Sequence, residues 1–233
     1  MVTERSQTGQ TASMCFSAEA DLVASAVIGV VAVDAIRHVE SRRQIPLAVI
    51  PAVFAVHSLM SAVAWWGLNG EVSASVGQAG AWLFMLTAFS VFPVLVPWAV
   101  WSLEPQGWRR TAIALLGVLG TIVGGVFLAR LLLYGGHATS GGEYIHYTVG
   151  GGSVIGLTFA YVAATCLPML LSGERALVAY GCANALAVAL LSYLTAAGFA
   201  SIWCFWAAIT SFLIAMYLRR SVSPVVSDAV AAR

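Results

Sequence analysis

The sequence predicts an all-α fold: a polytopic membrane protein built as a seven-transmembrane-helix bundle, N-terminus outside and C-terminus in the cytoplasm. Three observations predict it. Hydrophobic residues make up 60% of the 233 and charged residues only 9%, against roughly 25% charged in soluble domains, so most side chains cannot face water. Seven apolar stretches approach the roughly twenty residues a helix needs to cross a hydrocarbon core of about 30 Å. Finally, the arginines cluster in alternate connections, an arrangement that an odd number of crossings satisfies.

The expected spans are Phe16–Ile36, Ile45–Leu68, Ala79–Trp101, Thr111–Leu133, Gly151–Leu171, Ala176–Ala196 and Phe199–Leu218. The first is the least apolar, with Glu19 and Asp21 at one end and Asp34 at the other. Its acids belong at the interfaces or against the bundle. Residues 1–13 are polar, carry only Glu4 and Arg5, and lack the basic start of a signal peptide, so they are expected to be a disordered tail. Met14 is an alternative start. Residues 14–220 then form the transmembrane domain and residues 221–233 a disordered cytoplasmic tail.

Orientation comes from positive charge retained in the cytoplasm. Arg37, Arg42 and Arg43 follow the first span; Arg109 and Arg110 precede the fourth; Arg175 separates the fifth and sixth; Arg219, Arg220 and Arg233 follow the seventh. All nine share one side, and the opposite side holds only Arg5 in its tail and loops. Tryptophan, which prefers the headgroup level, agrees. Trp65, Trp66, Trp82, Trp203 and Trp206 fall toward outer ends, and Trp98, Trp101 and Trp108 toward inner ends. The reading therefore sets the chain in a cytoplasmic membrane, with the bilayer as its partner and a small-molecule solute as candidate cargo.

Composition also excludes functions. A net charge of +1 gives no electrostatic basis for nucleic-acid binding. All eleven cationic residues are arginine, which rules out a lysine Schiff base and hence a retinal protein.

Small residues mark close helix approach, because lipid gives helices no hydrophobic drive to associate. The fourth span has Gly117, Thr121 and Gly125 beside Gly120 and Gly124; the fifth has Gly152, Gly156, Ala160 and Ala164; the sixth has Gly181, Ala185 and Ala189. This pattern predicts that spans four to six form the packed centre. Pro51, Pro93, Pro97 and Pro168 fall in the inner halves of spans two, three and five, where each removes a backbone hydrogen bond and favours a static bend or a gate.

The residues with chemistry to offer fall in two places. At the outer end, Glu19, Asp21 and Arg130 meet a Gly-rich connection that carries His137, Glu143, Tyr144, His146 and Tyr147. Arg130 sits in the last turn of an apolar helix and needs a partner, for which Glu19, Asp21 and Glu143 are candidates, or must snorkel to the headgroups. In mid-membrane, His57 has Ser58 and Ser61 within a turn. A ring at that depth is costly unless hydrogen-bonded. It is either a neutral histidine held by a hydroxyl or carbonyl, or a group on a proton or solute path. With no second core histidine and no His-x-x-x-His pair, neither a bis-histidine haem nor a metallohydrolase motif is present, and no metal or other cofactor is assigned.

Asp34 can reach Arg37 and His38 on its own helix, Asn184 is expected to donate a hydrogen bond between helices, and Cys166 and Cys182 are expected to be small buried hydrophobes. Cys15 and Cys204 both lie toward the oxidising exterior, where a disulfide or a shared metal or redox site would fit.

Met14-Cys15-Phe16-Ser17-Ala18 and Phe199-Ala200-Ser201-Ile202-Trp203-Cys204-Phe205 resemble an uncharacterised family of bacterial seven-helix membrane proteins of unknown function that open with Met-Cys-Phe-Ser-Ala. The resemblance covers Met14 to about Leu218 and implies topology, not activity. It makes Cys15 and Cys204 joint family features, and the expectation is that they are cross-linked. The family's second helix carries Gln-Gln-x-x-Glu; here the matching positions are His57, Ser58 and Ser61, without the carboxylate.

Three readings of function follow. The first is a small-solute transporter or channel with a water-lined cavity reaching His57. The second is a sensor or accessory subunit that binds a lipid, a quinone or a partner protein and has a dry core. Last comes an intramembrane enzyme using His137, Glu143 and His146 with a metal. The sequence favours transport and leans against an enzyme.

Overall fold

The computed structural model describes residues 17–140, 144–152, 155–194 and 206–220. Seven helices fall within them: α1 (Ala18–Arg37), α2 (Ile45–Asn69), α3 (Ala74–Leu103), α4 (Trp108–Tyr134), α5 (Ile155–Leu171), α6 (Arg175–Leu194) and α7 (206–220). Each overlaps an apolar stretch marked out in the sequence. Three of them, α2 with its preceding turn, α3 and α4, are long and apolar enough to cross a membrane.

Local chemistry sets the ends. Ser17 caps α1 by accepting the Ala20 N–H at 3.3 Å, and Glu19 and Asp21 in the first turn complement the helix dipole. A single 3-10 turn (Arg42–Gln44) leads into α2, and the Gln44 side chain accepts from the Glu40 and Ser41 amides at 2.8 and 3.1 Å. Pro46 sits in the first turn of α2, where no intrahelical donor is lost. The helix stops at Gly70, whose φ of 78° is the left-handed conformation glycine adopts without strain.

α3 is interrupted. Residues Leu86–Val91 form a π turn, so the Phe92 amide reaches back five residues to the Thr87 carbonyl. That shift frees the Ala88 carbonyl from its usual partner, and Pro93 just beyond has no N–H to give.

The connection after α4 departs from expectation. It is an antiparallel hairpin, β1 (Gly136–Ser140) paired with β2 (Ile145–Val149), rather than a loose loop. Alternation sends Ile145 and Tyr147 toward the bundle and leaves His137 and His146 exposed on the other face. Gln78 donates to the Gly136 carbonyl at 2.5 Å, and Arg130 donates to the carbonyls of Gly150 and Gly152. At the hairpin end, Ile145 is buried against Ala18, Trp65, Phe84, Met85 and Leu131 in a second apolar cluster.

The packed centre is also not where the small residues suggested. Of the apolar stretches, 61% of α2 and 56% of α3 are buried, against 28% of α4. α4 lies at the periphery and turns Leu115, Val118, Ile122 and Val126 outward. Gly117, Gly120 and Gly124 do mark its contact with α3: Gly117 faces the Trp98 ring, and Gly120 and Gly124 lie on the carbonyls of Pro93 and Ser90. Gly125 and Gly156 face open space, while Gly181 packs on Met169 and Leu170. The tightest crossing of α2 and α3 is at Gly67 and Gly77, whose backbones touch.

α1 presents Val23, Val27, Val30 and Val33 outward and buries Ile28, Ala32 and Ala35. Apolar residues on both the inner and the outer faces of a bundle suit a hydrocarbon solvent, and these helices indicate membrane association.

Short polar links tie the arginine-bearing ends together. Arg219 on α7 makes a two-pronged ion pair with Asp34 on α1 at 2.6 and 2.7 Å, and the His38 ring lies on the Asp34 carbonyl at 2.8 Å. Arg219 is thus the cross-helix partner that the sequence reading of Asp34 missed. Ser102 donates to the Arg43 carbonyl at 2.6 Å. Glu104, only 4% exposed, accepts from the Ser172 hydroxyl and the Gly173 amide at 3.0 Å, joining the α3–α4 and α5–α6 turns.

Candidate binding cavity

A cavity of about 270 Å³ lies inside the bundle, walled by α2, α3, α5, α6 and α7. Phe54, Phe84, Phe89, Phe92, Tyr161 and Tyr180 supply most of its rings, and Ile50, Val96, Val162, Met169, Val188 and Ile214 fill between them. His57, Thr158, Thr165 and Asn184 are the remaining polar side chains on the wall.

His57 is 1% exposed. Its ring stacks on Phe84 with centroids 4.0 Å apart and meets the edge of Phe92 at 5.7 Å. Phe84 in turn stacks on Tyr147 of the hairpin at 4.0 Å, so three rings run from the hairpin to the cavity wall. The Nδ1 atom of His57 has no hydrogen-bond partner among the described residues. A buried ring nitrogen left so costs about 1–3 kcal/mol, which a bound polar group could recover.

The other polar groups on the wall are largely engaged. Tyr161 donates to the Ala88 carbonyl at 2.8 Å, the acceptor that the π turn of α3 sets free. Tyr180 donates to Thr210 of α7 at 3.0 Å. Asn184 accepts from Trp206 at 2.8 Å and donates to the Cys166 sulfur at 3.6 Å, so it bridges α5, α6 and α7 as the interhelical role implied. Thr165 turns its hydroxyl back onto the Tyr161 carbonyl at 2.9 Å. Of the buried polar atoms on this wall, His57 Nδ1 is the one left without a partner among the described residues.

The sequence-derived candidates separate. His57 faces the cavity, Ser61 instead meets the Tyr147 hydroxyl at 3.3 Å, and Ser58 is fully buried with no partner among the described residues. Glu19 is exposed and Asp21 is buried at the hairpin end of α1; neither these acids nor Arg130 nor His146 lines the cavity. Glu143, Cys15 and Cys204 lie outside the described residues. Cys166 is buried as expected, but Cys182 is exposed on the outer side of α6, so it is not a core residue. Among the described residues, no group of three His, Cys, Asp or Glu side chains could hold a metal ion.

Sequence reasoning missed Tyr161, the π turn and Glu104. Pro93 and Pro97 signalled an irregular α3 but not where its carbonyl would be freed. Neither the curated proteins nor the solved structures include a match to this chain. A family model does match residues 14–229, nearly the whole chain, and the protein accordingly belongs to DUF6629, a family of unknown function.

Proposed function

We propose that the chain is a seven-span membrane protein, N-terminus outside, whose intramembrane cavity binds a small, largely apolar molecule through one polar function held by His57. The observation that carries this reading is the unpartnered Nδ1 of His57, a wall residue of a mainly aromatic and aliphatic cavity. Ligand sites are mostly apolar with few convergent polar groups, and this cavity has that make-up. Its volume of about 270 Å³ exceeds the 150 Å³ or so that accepts benzene, so a substituted ring of the quinone type or a short lipid segment is the appropriate scale. A hydrophilic solute would find few unpaired polar groups there among the described residues, which favours the binding reading over a water-lined transport path.

Transport remains the second reading, for a membrane-soluble cargo. Pro51, Pro93 and Pro168 sit within helices directly beside the cavity residues Ile50, Phe92 and Met169, so three of the five wall helices carry a hinge point.

Solvent extraction of the purified protein, followed by mass spectrometry, tests the proposal. The wild type should carry a stoichiometric apolar compound that Ala88→Phe, which fills the cavity, excludes. A protein that melts normally and yields no compound enriched over the Ala88→Phe control refutes it. If a compound is found, its flux through proteoliposomes separates transport from binding.

A further inference from the structure

Arg220 ends α7 with no ion pair among the described residues, while its neighbour Arg219 is committed to Asp34. It lines two grooves at once. One, of about 470 Å³, runs between α1 and α7 with Val30, Val31, Phe212 and Ala215 as its apolar walls. The other, of about 340 Å³, runs between α6 and α7 past Ala179, Ala183, Leu213 and Tyr217. Met216 lines both grooves, so Met216 and Arg220, one turn apart, form the ridge that divides them.

From this geometry we infer that the arginine end of α7 is a site for one anionic diacyl phospholipid, its phosphate on Arg220 and one acyl chain in each groove. Charge complementarity selects the occupant. The surrounding end carries Arg37, Arg42, Arg43, Arg109, Arg110, Arg175, Arg219 and Arg220 against Asp34, Glu40, Glu104 and Glu174. Of those acids, Asp34 is taken by Arg219 and Glu104 is buried under Ser172 and Gly173. A basic site between helices at an interface recognises anionic headgroups. The paired grooves add what a free phosphate could not use, a bed for two chains astride a ridge. This inference does not depend on the central cavity.

The test is native mass spectrometry of the full chain released from bilayers containing equal phosphatidylglycerol and phosphatidylcholine. The wild type should retain phosphatidylglycerol in preference by about fivefold, the ratio that one cation near the surface supplies. Arg220→Gln should abolish the preference, and Arg42→Gln, at the same end but outside the grooves, should keep it. Ala179→Phe, which fills one groove at an exposed position, should lower retention of both lipids. Soluble glycerophosphoglycerol should not displace the bound lipid. Equal retention of the two lipids by the wild type overturns the inference without recourse to any variant. So does an unchanged preference in Arg220→Gln, or displacement by the soluble headgroup.

Discussion

Replacing Gly120 by alanine should force α3 and α4 apart, and Gly125→Ala on the same helix should not. The Cβ of an alanine at 120 would fall 2.9 Å from the Pro93 carbonyl carbon, closer still to its oxygen, and 3.3 Å from the Pro97 ring. Carbon atoms rest at about 3.5–4.0 Å, so the carbonyl carbon alone requires a local separation of roughly 0.6 Å, and the nearer oxygen requires more. The obstruction is backbone and a rigid ring, neither of which can turn aside. Overpacking of this kind costs about 1–3 kcal/mol. At 125 nothing lies within 4 Å, and alanine there gains up to about 1 kcal/mol of helix propensity. The two variants should therefore differ by about 1–4 kcal/mol, or on the order of 5 °C in melting temperature for a chain of this size. Thermal unfolding in one detergent, followed by intrinsic tryptophan fluorescence, reads the difference. Equal melting temperatures would refute the close contact of α4 with the carbonyls beside the π turn.

Three further predictions follow from named contacts. His57→Phe removes a buried unpaired nitrogen and keeps a flat ring against Phe84, so it should stabilise the fold by about 1 kcal/mol while lowering ligand retention; a lower melting temperature would show that Nδ1 is not an unsatisfied group. Glu104→Gln weakens the charge-assisted bonds to Ser172 and Gly173 and should cost about 1.5–3 kcal/mol in thermal unfolding. Asp34→Asn breaks the pair with Arg219, whose side chains are 24% and 58% exposed, and should cost no more than about 1 kcal/mol; a larger loss would make that pair a main strut of the α1–α7 contact.

Much of the helical layout was legible because a helix satisfies its own amides and, where it is apolar all round, appears as a long apolar run whatever it packs against. The same composition hid the interior. When α4 turns Leu115 and Val118 to the outside and α2 turns Ile50 and Phe54 to the inside, both faces look alike in composition, and periodicity cannot say which helix is central. Glycine stripes marked the face of α4 that meets α3 but not that α4 is peripheral, and the single pair Gly67 and Gly77 made no stripe to see. His57 stood out because a ring nitrogen in an apolar run is conspicuous. Its surroundings did not: Phe84 and Tyr147 come from a different helix and a hairpin, and Tyr161 became a wall of the cavity through a carbonyl freed by the turn in α3. Arg130 was read as needing a partner, with Glu19, Asp21 and Glu143 as candidates, or as snorkelling to the headgroups; the carbonyls of Gly150 and Gly152 accept from its guanidinium, acceptors that a charge count does not reveal.

The character of the space beside His57 decides between binding an apolar molecule and passing a polar one. Crystals of the protein stripped of its bound compound and equilibrated with xenon should show an anomalous peak between Phe54, Phe84 and Tyr161, since dry apolar cavities of this size take up the gas. A row of ordered waters reaching His57, with no xenon, would contradict the account and point to a path for polar solutes.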